Sequence, residues 1–220
     1  MNDLDCEFVE SGGSPPDATF IWLHGLGASK NDFVPVAKLL CERLSFPLRF
    51  VLPQANSIPV TLNGGMVMPA WYDILDMSHP RNIDQGTLER SLGQINQLIE
   101  SEEKRGQSLN KIILAGFSQG GAVCLELALK GDKNLGGLLA LSTYLVSDQG
   151  LQRKNLPIFM AHGEFDAVIP PSIAEQSRDA IVGAGNKLDW NLFPIDHTVS
   201  EEEIVVIARW IQSKILQTKE

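Results

Sequence analysis

Ser118 stands in Gly116-Phe117-Ser118-Gln119-Gly120-Gly121, a G-x-S-x-G pentapeptide followed by a further glycine. A serine in that setting can do nucleophilic chemistry at an acyl carbon if a sharp turn holds its Oγ clear of the backbone. The glycines two residues before and two after allow neighbouring segments to approach without Cβ clashes. In a glycine-rich chain the pentapeptide alone is a weak signal, and its placement is what gives it weight. Lys111 to Ala115 precedes it as a short, mostly apolar run of the kind that forms a strand buried on both faces. Ala122 to Leu129 follows it, apolar almost all round and rich in helix formers. A turn taken directly from strand to helix forces the serine into a strained conformation. It also sets the Oγ at a helix N-terminus, where N–H groups favour developing negative charge.

Such a serine needs a base, an acid and an oxyanion site, and chemistry in an open α/β sheet collects beyond the carboxyl ends of the strands. Among the four histidines, His24 and His162 each end an apolar run inside an H-G pair, where backbone bonding is the ordinary role. His79 lies in a long irregular stretch and is expected in solvent. His197 follows the last apolar run and completes the chain order Ser…Asp…His, which makes it the expected general base. Asp166, in His162-Gly-Glu-Phe-Asp166-Ala-Val-Ile-Pro170, is the expected acid. Glu164 sits in the turn itself, and Asp73 comes before the serine. Asp196 adjoins His197 and points the other way on an extended chain. The oxyanion donors are expected to be the backbone N–H of Gln119 and one from the loop His24-Gly25-Leu26-Gly27, most plausibly Leu26.

The elements that must position these residues alternate. Strands are expected over 4–10, 18–24, 48–52, 111–115, 136–141, 157–161 and 187–193. Helices are expected over 32–44, 82–104, 122–129, 170–182 and 201–216. Apolar strands alternating with helices predict a mostly parallel sheet covered on both faces, and with no repeat or linker in sight, residues 1–220 form one α/β domain. The stretch 54–80 has no clear period and reads as a long loop. Its Met66, Met68 and Trp71 are expected to make an adaptable apolar wall for an acyl chain.

Composition narrows the partners. A net charge of −9 argues against nucleic acid or an anionic membrane as the main partner. Cys6, Cys41 and Cys124 are odd in number and widely spaced, so they read as reduced thiols and not as disulfides or zinc ligands. The acidic first residues lack the pattern of a secretion signal, and no apolar run has the length of a membrane span. A cytoplasmic location is expected.

The runs F-I-W-L-H-G-L-G-A, M-P-A-W-Y-D-I, L-A-G-F-S-Q-G-G-A and H-G-E-F-D-A-V-I-P resemble bacterial carboxylesterases related to acyl-protein thioesterases and lysophospholipases, within the α/β-hydrolase fold. The match runs in order from about residue 18 to the end of the chain. The resemblance implies Ser118, Asp166 and His197 as the catalytic group, with Leu26 and Gln119 as oxyanion donors. It also implies no cofactor, no metal, no large lid domain, an apolar acyl groove beside the W-Y-D block and a possible homodimer. One position departs: the family usually has glycine before the catalytic histidine, and this chain has Asp196. The expected activity is hydrolysis of small-molecule esters of short to medium acyl chains through an acyl-enzyme. The alternatives are acyl-protein thioesterase or lysophospholipase activity, or a binding protein that keeps the fold without turnover.

Overall fold

The apolar runs do become strands in a computed structural model, which describes residues 4–216 except 77, 79 and 80. In chain order they are β1 (Cys6–Glu10), β2 (Ala18–Leu23), α1 (Val34–Arg43), β3 (Leu48–Pro53), β4 (Ser57–Val60), β5 (Met66–Pro69) and α2 (Gln85–Lys104). The second half contributes β6 (Ile112–Phe117), α3 (Gln119–Lys130), β7 (Gly137–Leu141), β8 (Ile158–Gly163), α4 (Pro171–Gly183), β9 (Asp189–Phe193) and α5 (Glu201–Trp210). The main sheet runs β1-β3-β2-β6-β7-β8-β9, with β1 antiparallel to its neighbour and the other pairs parallel.

Alternation along each strand divides the core between the two faces of the sheet. Ile21, Leu23, Val51, Leu114, Ala140 and Met160 face one way and pack with residues of α2, α3 and α4. Phe20, Trp22, Phe50, Ala115, Leu141 and Phe159 face the other way and pack with α1 and α5. Helix α3 is buried from Gln119 to Leu129, as its nearly all-apolar sequence demands. All three cysteines are free, and burial raises the pKa of each thiol. Among the described residues no helix is long and apolar enough to cross a membrane.

Two expectations about segments are corrected. The stretch 54–80 is not one long loop: β4 and β5 pair antiparallel, Ser57 with Pro69 and Val60 with Met66. The ends of that hairpin are joined through Gly64 and Gly65, whose φ values of 66° and 79° suit glycine. The hairpin was hard to read because each strand is only four residues long and, although β4 alternates, Met66 and Val67 are both exposed, so β5 carries no in–out period. Helix α2 begins at Gln85 and not at residue 82, because Ile83 bridges Ile74 and Asp84 caps the helix by accepting from the Thr87 N–H. His79 and Met77 lie outside the described residues.

Helix α5 opens with a capping Ser200, which accepts from the Glu203 N–H, and with Glu201, Glu202 and Glu203 in its first turn. Glu203 is buried, and its Oε1 has no hydrogen-bond partner among the described residues. Burial raises its carboxyl pKa from an ordinary 4.5 to about 8. Between those values the folded chain holds a proton that the unfolded chain has released, so this residue lowers stability progressively as pH rises through the window. Glu203→Gln, which keeps the shape without the titration, should melt close to the wild type at about pH 5 and several degrees above it at about pH 8. Calorimetry at the two pH values checks this, and an equal difference at both would contradict the burial account.

Candidate active site

The turn between β6 and α3 holds Ser118 at φ 54° and ψ −123°, a conformation that costs a non-glycine residue about 1–3 kcal/mol. Its neighbours fix that geometry. The Ser118 N–H donates to the Leu141 carbonyl (2.9 Å), tying the turn to the end of β7. The Ser118 carbonyl accepts from the Thr143 hydroxyl (2.7 Å) and from the Ala122 N–H (3.1 Å). The glycines around it are required by contact. A Cβ on Gly116 would lie 2.5 Å from the Gly120 carbonyl, and one on Gly120 would lie 2.5 Å from the His24 carbonyl. Strand, helix and the loop after β2 therefore meet at distances that no larger residue permits.

His197 and Asp166 arrive from the loops after β9 and β8. His197 Nε2 lies 3.0 Å from Ser118 Oγ, and its Nδ1 lies 2.6 Å from Asp166 Oδ2. With Nδ1–H donating to the carboxylate, Nε2 is left to accept the serine proton. The other carboxylate oxygen, Oδ1, accepts from the backbone N–H groups of Val168 (2.9 Å) and Ile169 (2.8 Å). Asp166 is 3% exposed, so its orientation is set by protein donors and not by water. Asp196 is exposed, and its carboxylate makes no hydrogen bond or ion pair among the described residues. Its backbone carbonyl lies where a Cβ on Gly163 would be, 2.4 Å away, so Gly163 lets the His197 loop close onto β8.

The other two candidate histidines are structural. His24 Nδ1 donates to the Gly25 carbonyl (2.7 Å), and its Nε2 accepts from the Ala55 N–H (3.1 Å), which fixes the loop after β2 against the end of β3. Burial lowers its pKa and keeps it neutral. His162 Nε2 lies 2.8 Å from the Ile169 carbonyl and 3.2 Å from Asp166 Oδ2, behind the acid. Burial lowers its pKa as well. The backbone N–H groups of Leu26 and Gln119 have no acceptor among the described residues, and both residues line the same cavity as Ser118.

That cavity, about 470 Å³, is walled by Leu26, Phe33, Val36, Leu62, Ile74, Phe117, Val168 and Ile169 among others. The expected wall of Met66, Met68 and Trp71 is not the one found. Trp71 is 1% exposed and donates its indole N–H to the His24 carbonyl (2.8 Å), behind the loop that carries Leu26. Its backbone N–H donates to Gln119 Oε1 (2.8 Å), while Gln119 Nε2 donates to the Tyr72 carbonyl (2.7 Å). The W-Y-D segment is thus a buried post beneath the site, and apolar type alone could not separate a post from a wall. Met66 is 64% exposed on the hairpin, and Met68 is half-buried with its sulfur accepting from Asn63 Nδ2. The apolar pair Val168-Ile169, two and three residues past Asp166, was the legible signal for the lining of this cavity. No sequence feature pointed to Leu62 or Arg81. No group of three or more His, Cys, Asp or Glu side chains among the described residues is arranged to hold a metal ion.

Comparison with known proteins gives three findings. A family model described as phospholipase/carboxylesterase matches residues 4–215. An acyl-protein thioesterase 1 of Yarrowia lipolytica is 35% identical over 90% of this chain and 92% of its own, and one of Cryptococcus neoformans is 39% identical over 75% and 73%. The crystal structure of acyl-protein thioesterase 2 from Zea mays superposes with a TM-score of 0.82 at 25% identity, covering 96% of this chain and 99% of that one. These relatives are eukaryotic, so the resemblance is not confined to the bacterial enzymes that the motifs first suggested.

The glycine contacts carry a direct consequence. Gly120→Ala would drive a methyl into the Leu23 and His24 carbonyls, neither of which is the end of a flexible side chain. Overpacking of this kind costs about 1–3 kcal/mol, which in a chain of this size lowers Tm by roughly 3–10 °C. Gly93→Ala, in open space on α2, is the control and should melt at or above the wild type. A Gly120→Ala protein with unchanged Tm would show that the elbow is not packed as described.

Proposed function

Because the chain belongs to the phospholipase/carboxylesterase family of α/β-hydrolases and is a hydrolase, we propose that it cleaves carboxylic esters and thioesters of short to medium acyl chains through an acyl-enzyme on Ser118. The observation that carries this reading is the hydrogen-bonded line from Ser118 Oγ through His197 to the buried, three-donor environment of Asp166. His197 Nε2 takes the Ser118 proton as Oγ attacks the acyl carbon. The carbonyl oxygen, now negative, is met by the N–H groups of Leu26 and Gln119, the latter at the N-terminus of α3. His197 then returns the proton to the leaving oxygen or sulfur, and a water activated in the same way releases the acid.

The thioester arm is supported by the relatives, whose printed names are acyl-protein thioesterase. It is also compatible with the site, since general acid help matters less to a thiolate than to an alkoxide. Leu62, Ile74, Val168 and Ile169 give the acyl chain apolar surface, worth about 0.8 kcal/mol per buried methylene.

Asp166→Asn tests the division of labour between the carboxylates. An amide there favours the wrong imidazole tautomer, and the comparable change in a serine protease costs about 10⁴ in kcat. Asp196→Asn should change kcat by less than about tenfold, because its carboxylate touches neither His197 nor Ser118. Steady-state kinetics with one p-nitrophenyl ester separates them. A crippled Asp196→Asn beside a near-normal Asp166→Asn would reverse the assignment. Ser118→Ala should in turn lose labelling by a fluorophosphonate probe and essentially all hydrolysis while staying folded. Labelling that persists on another serine, with activity retained, would remove the nucleophile from this account.

A further inference from the structure

Arg81 and Tyr144 line the cavity that contains Ser118 and also line a second cavity of about 320 Å³. That second space is bounded on one side by Leu145, Ile173 and Ala180, and on the other by the polar Ser147, Asp148, Gln149, Gln176 and Ser177. Arg81 is 8% exposed. Its guanidinium carbon lies 5.7 Å from the centroid of the Tyr144 ring, and its Nη2 lies 3.5 Å from the Val168 carbonyl. The ring under it is itself fixed, since the Tyr144 hydroxyl is paired with the Tyr72 hydroxyl at 2.8 Å and both residues are buried. Arg81 leaves the chain just before the bridge of Ile83 to Ile74, and Ile74 is one of the apolar residues lining the Ser118 cavity.

We propose that Arg81 is a specificity-determining residue: laid over Tyr144, it is the partition between the two cavities and sets the longest acyl chain the site accepts. This rests on the reading of Ser118 as an acyl-transfer nucleophile. The partition works in two ways. Its side chain fills the space through which a longer chain would have to pass. A terminal methyl pressed against it would also strip neighbours from a buried cation without replacing them, which is unfavourable. An aliphatic wall could rotate aside at little cost. A guanidinium held by contacts that include a ring face and a carbonyl gives these up when it moves. Beyond it, Leu145, Ile173 and Ala180 offer apolar surface that the acyl chain reaches only when Arg81 is absent.

The test uses a series of p-nitrophenyl esters from butanoate to hexadecanoate, kept below micelle-forming concentrations. The readout is the ratio of kcat/KM for dodecanoate to that for hexanoate, so any general loss of activity cancels. In Arg81→Ala the ratio should rise at least tenfold over the wild type, whereas Arg81→Lys, which keeps length and charge, should stay within about threefold of it. Filling the second cavity should undo the gain: Arg81→Ala with Ile173→Trp should return to the wild-type ratio, while Ile173→Trp alone leaves that ratio unchanged. A merely structural arginine would not show that cancellation. Should Arg81→Ala fail to fold, Arg81→Gln, shorter and uncharged, must move the ratio in the same direction.

An unchanged ratio in a variant whose Ser118 still takes a fluorophosphonate label overturns the partition alone. An absence of hydrolysis and labelling in the wild type overturns the parent reading instead. If the wild type prefers an acyl group ending in a carboxylate to a methyl-ended one of equal length, and Arg81→Ala loses that preference, Arg81 recognises charge. The partition would then be overturned too.

Discussion

The backbone of Ser118 is the constraint on which the remaining structure depends. Holding a serine at positive φ costs about 1–3 kcal/mol, and a chain keeps such a residue only where its surroundings leave no alternative. Here the surroundings are the sheet itself. The Ser118 N–H is bound to the end of β7 and its carbonyl to Thr143, while its flanking glycines pack so closely against backbone of β2 and α3 that a Cβ would clash. Strand order β2-β6-β7 is therefore also the mechanism that presents the hydroxyl. Relaxing the serine would require parting two parallel ladders that are buried on both faces. The same compression brings the loop after β2, with Leu26, against the N-terminus of α3. One packing event thus places the Ser118 hydroxyl and the N–H groups of Leu26 and Gln119, which are unpaired among the described residues.

Much of this was legible because it is written in short-range rules. Gly116, Gly120 and Gly121 around a serine, between a buried strand and an all-apolar helix, encode the elbow without reference to distant residues. Asp166 and His197 were recoverable from strand ends and chain order alone. The hairpin of β4 and β5 was not, since its strands are four residues each and β5 carries no period, although Asn63-Gly64-Gly65 was a usable turn signal. Trp71 was misplaced for a different reason. An aromatic in an irregular stretch has the same composition whether it faces substrate or core, and only the Gln119 side chain, bonded to the backbone of Trp71 and Tyr72, decides which.

That bonding gives Gln119 two duties. Its backbone N–H is left for an oxyanion, while its side-chain amide anchors the segment that supports the loop of His24 to Gly27. The side chains of His24, Trp71 and Gln119 form a continuous buried network that lies behind Ser118 and fixes the backbone around it. Preorganised donors of this kind stabilise developing charge because they need no reorientation when it appears. The apolar lining of the Ser118 cavity comes from elsewhere, including Leu62, Ile74, Val168 and Ile169. Leu62 sits on the 3₁₀ turn after β4, Ile74 is bridged to Ile83, and Val168 and Ile169 follow Asp166 by two and three residues, so part of the cavity lining belongs to the loop that carries Asp166.

The central claim is that an acyl group rests on Ser118 between two halves of the reaction. A p-nitrophenyl ester has a leaving group good enough to make deacylation the slower step. Rapid acid quench during turnover, followed by intact-mass and peptide analysis, reads the intermediate directly. The account predicts a mass increase of one acyl group, confined to the peptide that contains Ser118, together with a burst of about one equivalent of nitrophenolate. Sustained turnover with no burst and no acylated protein, or an acyl group on a different residue, would contradict it.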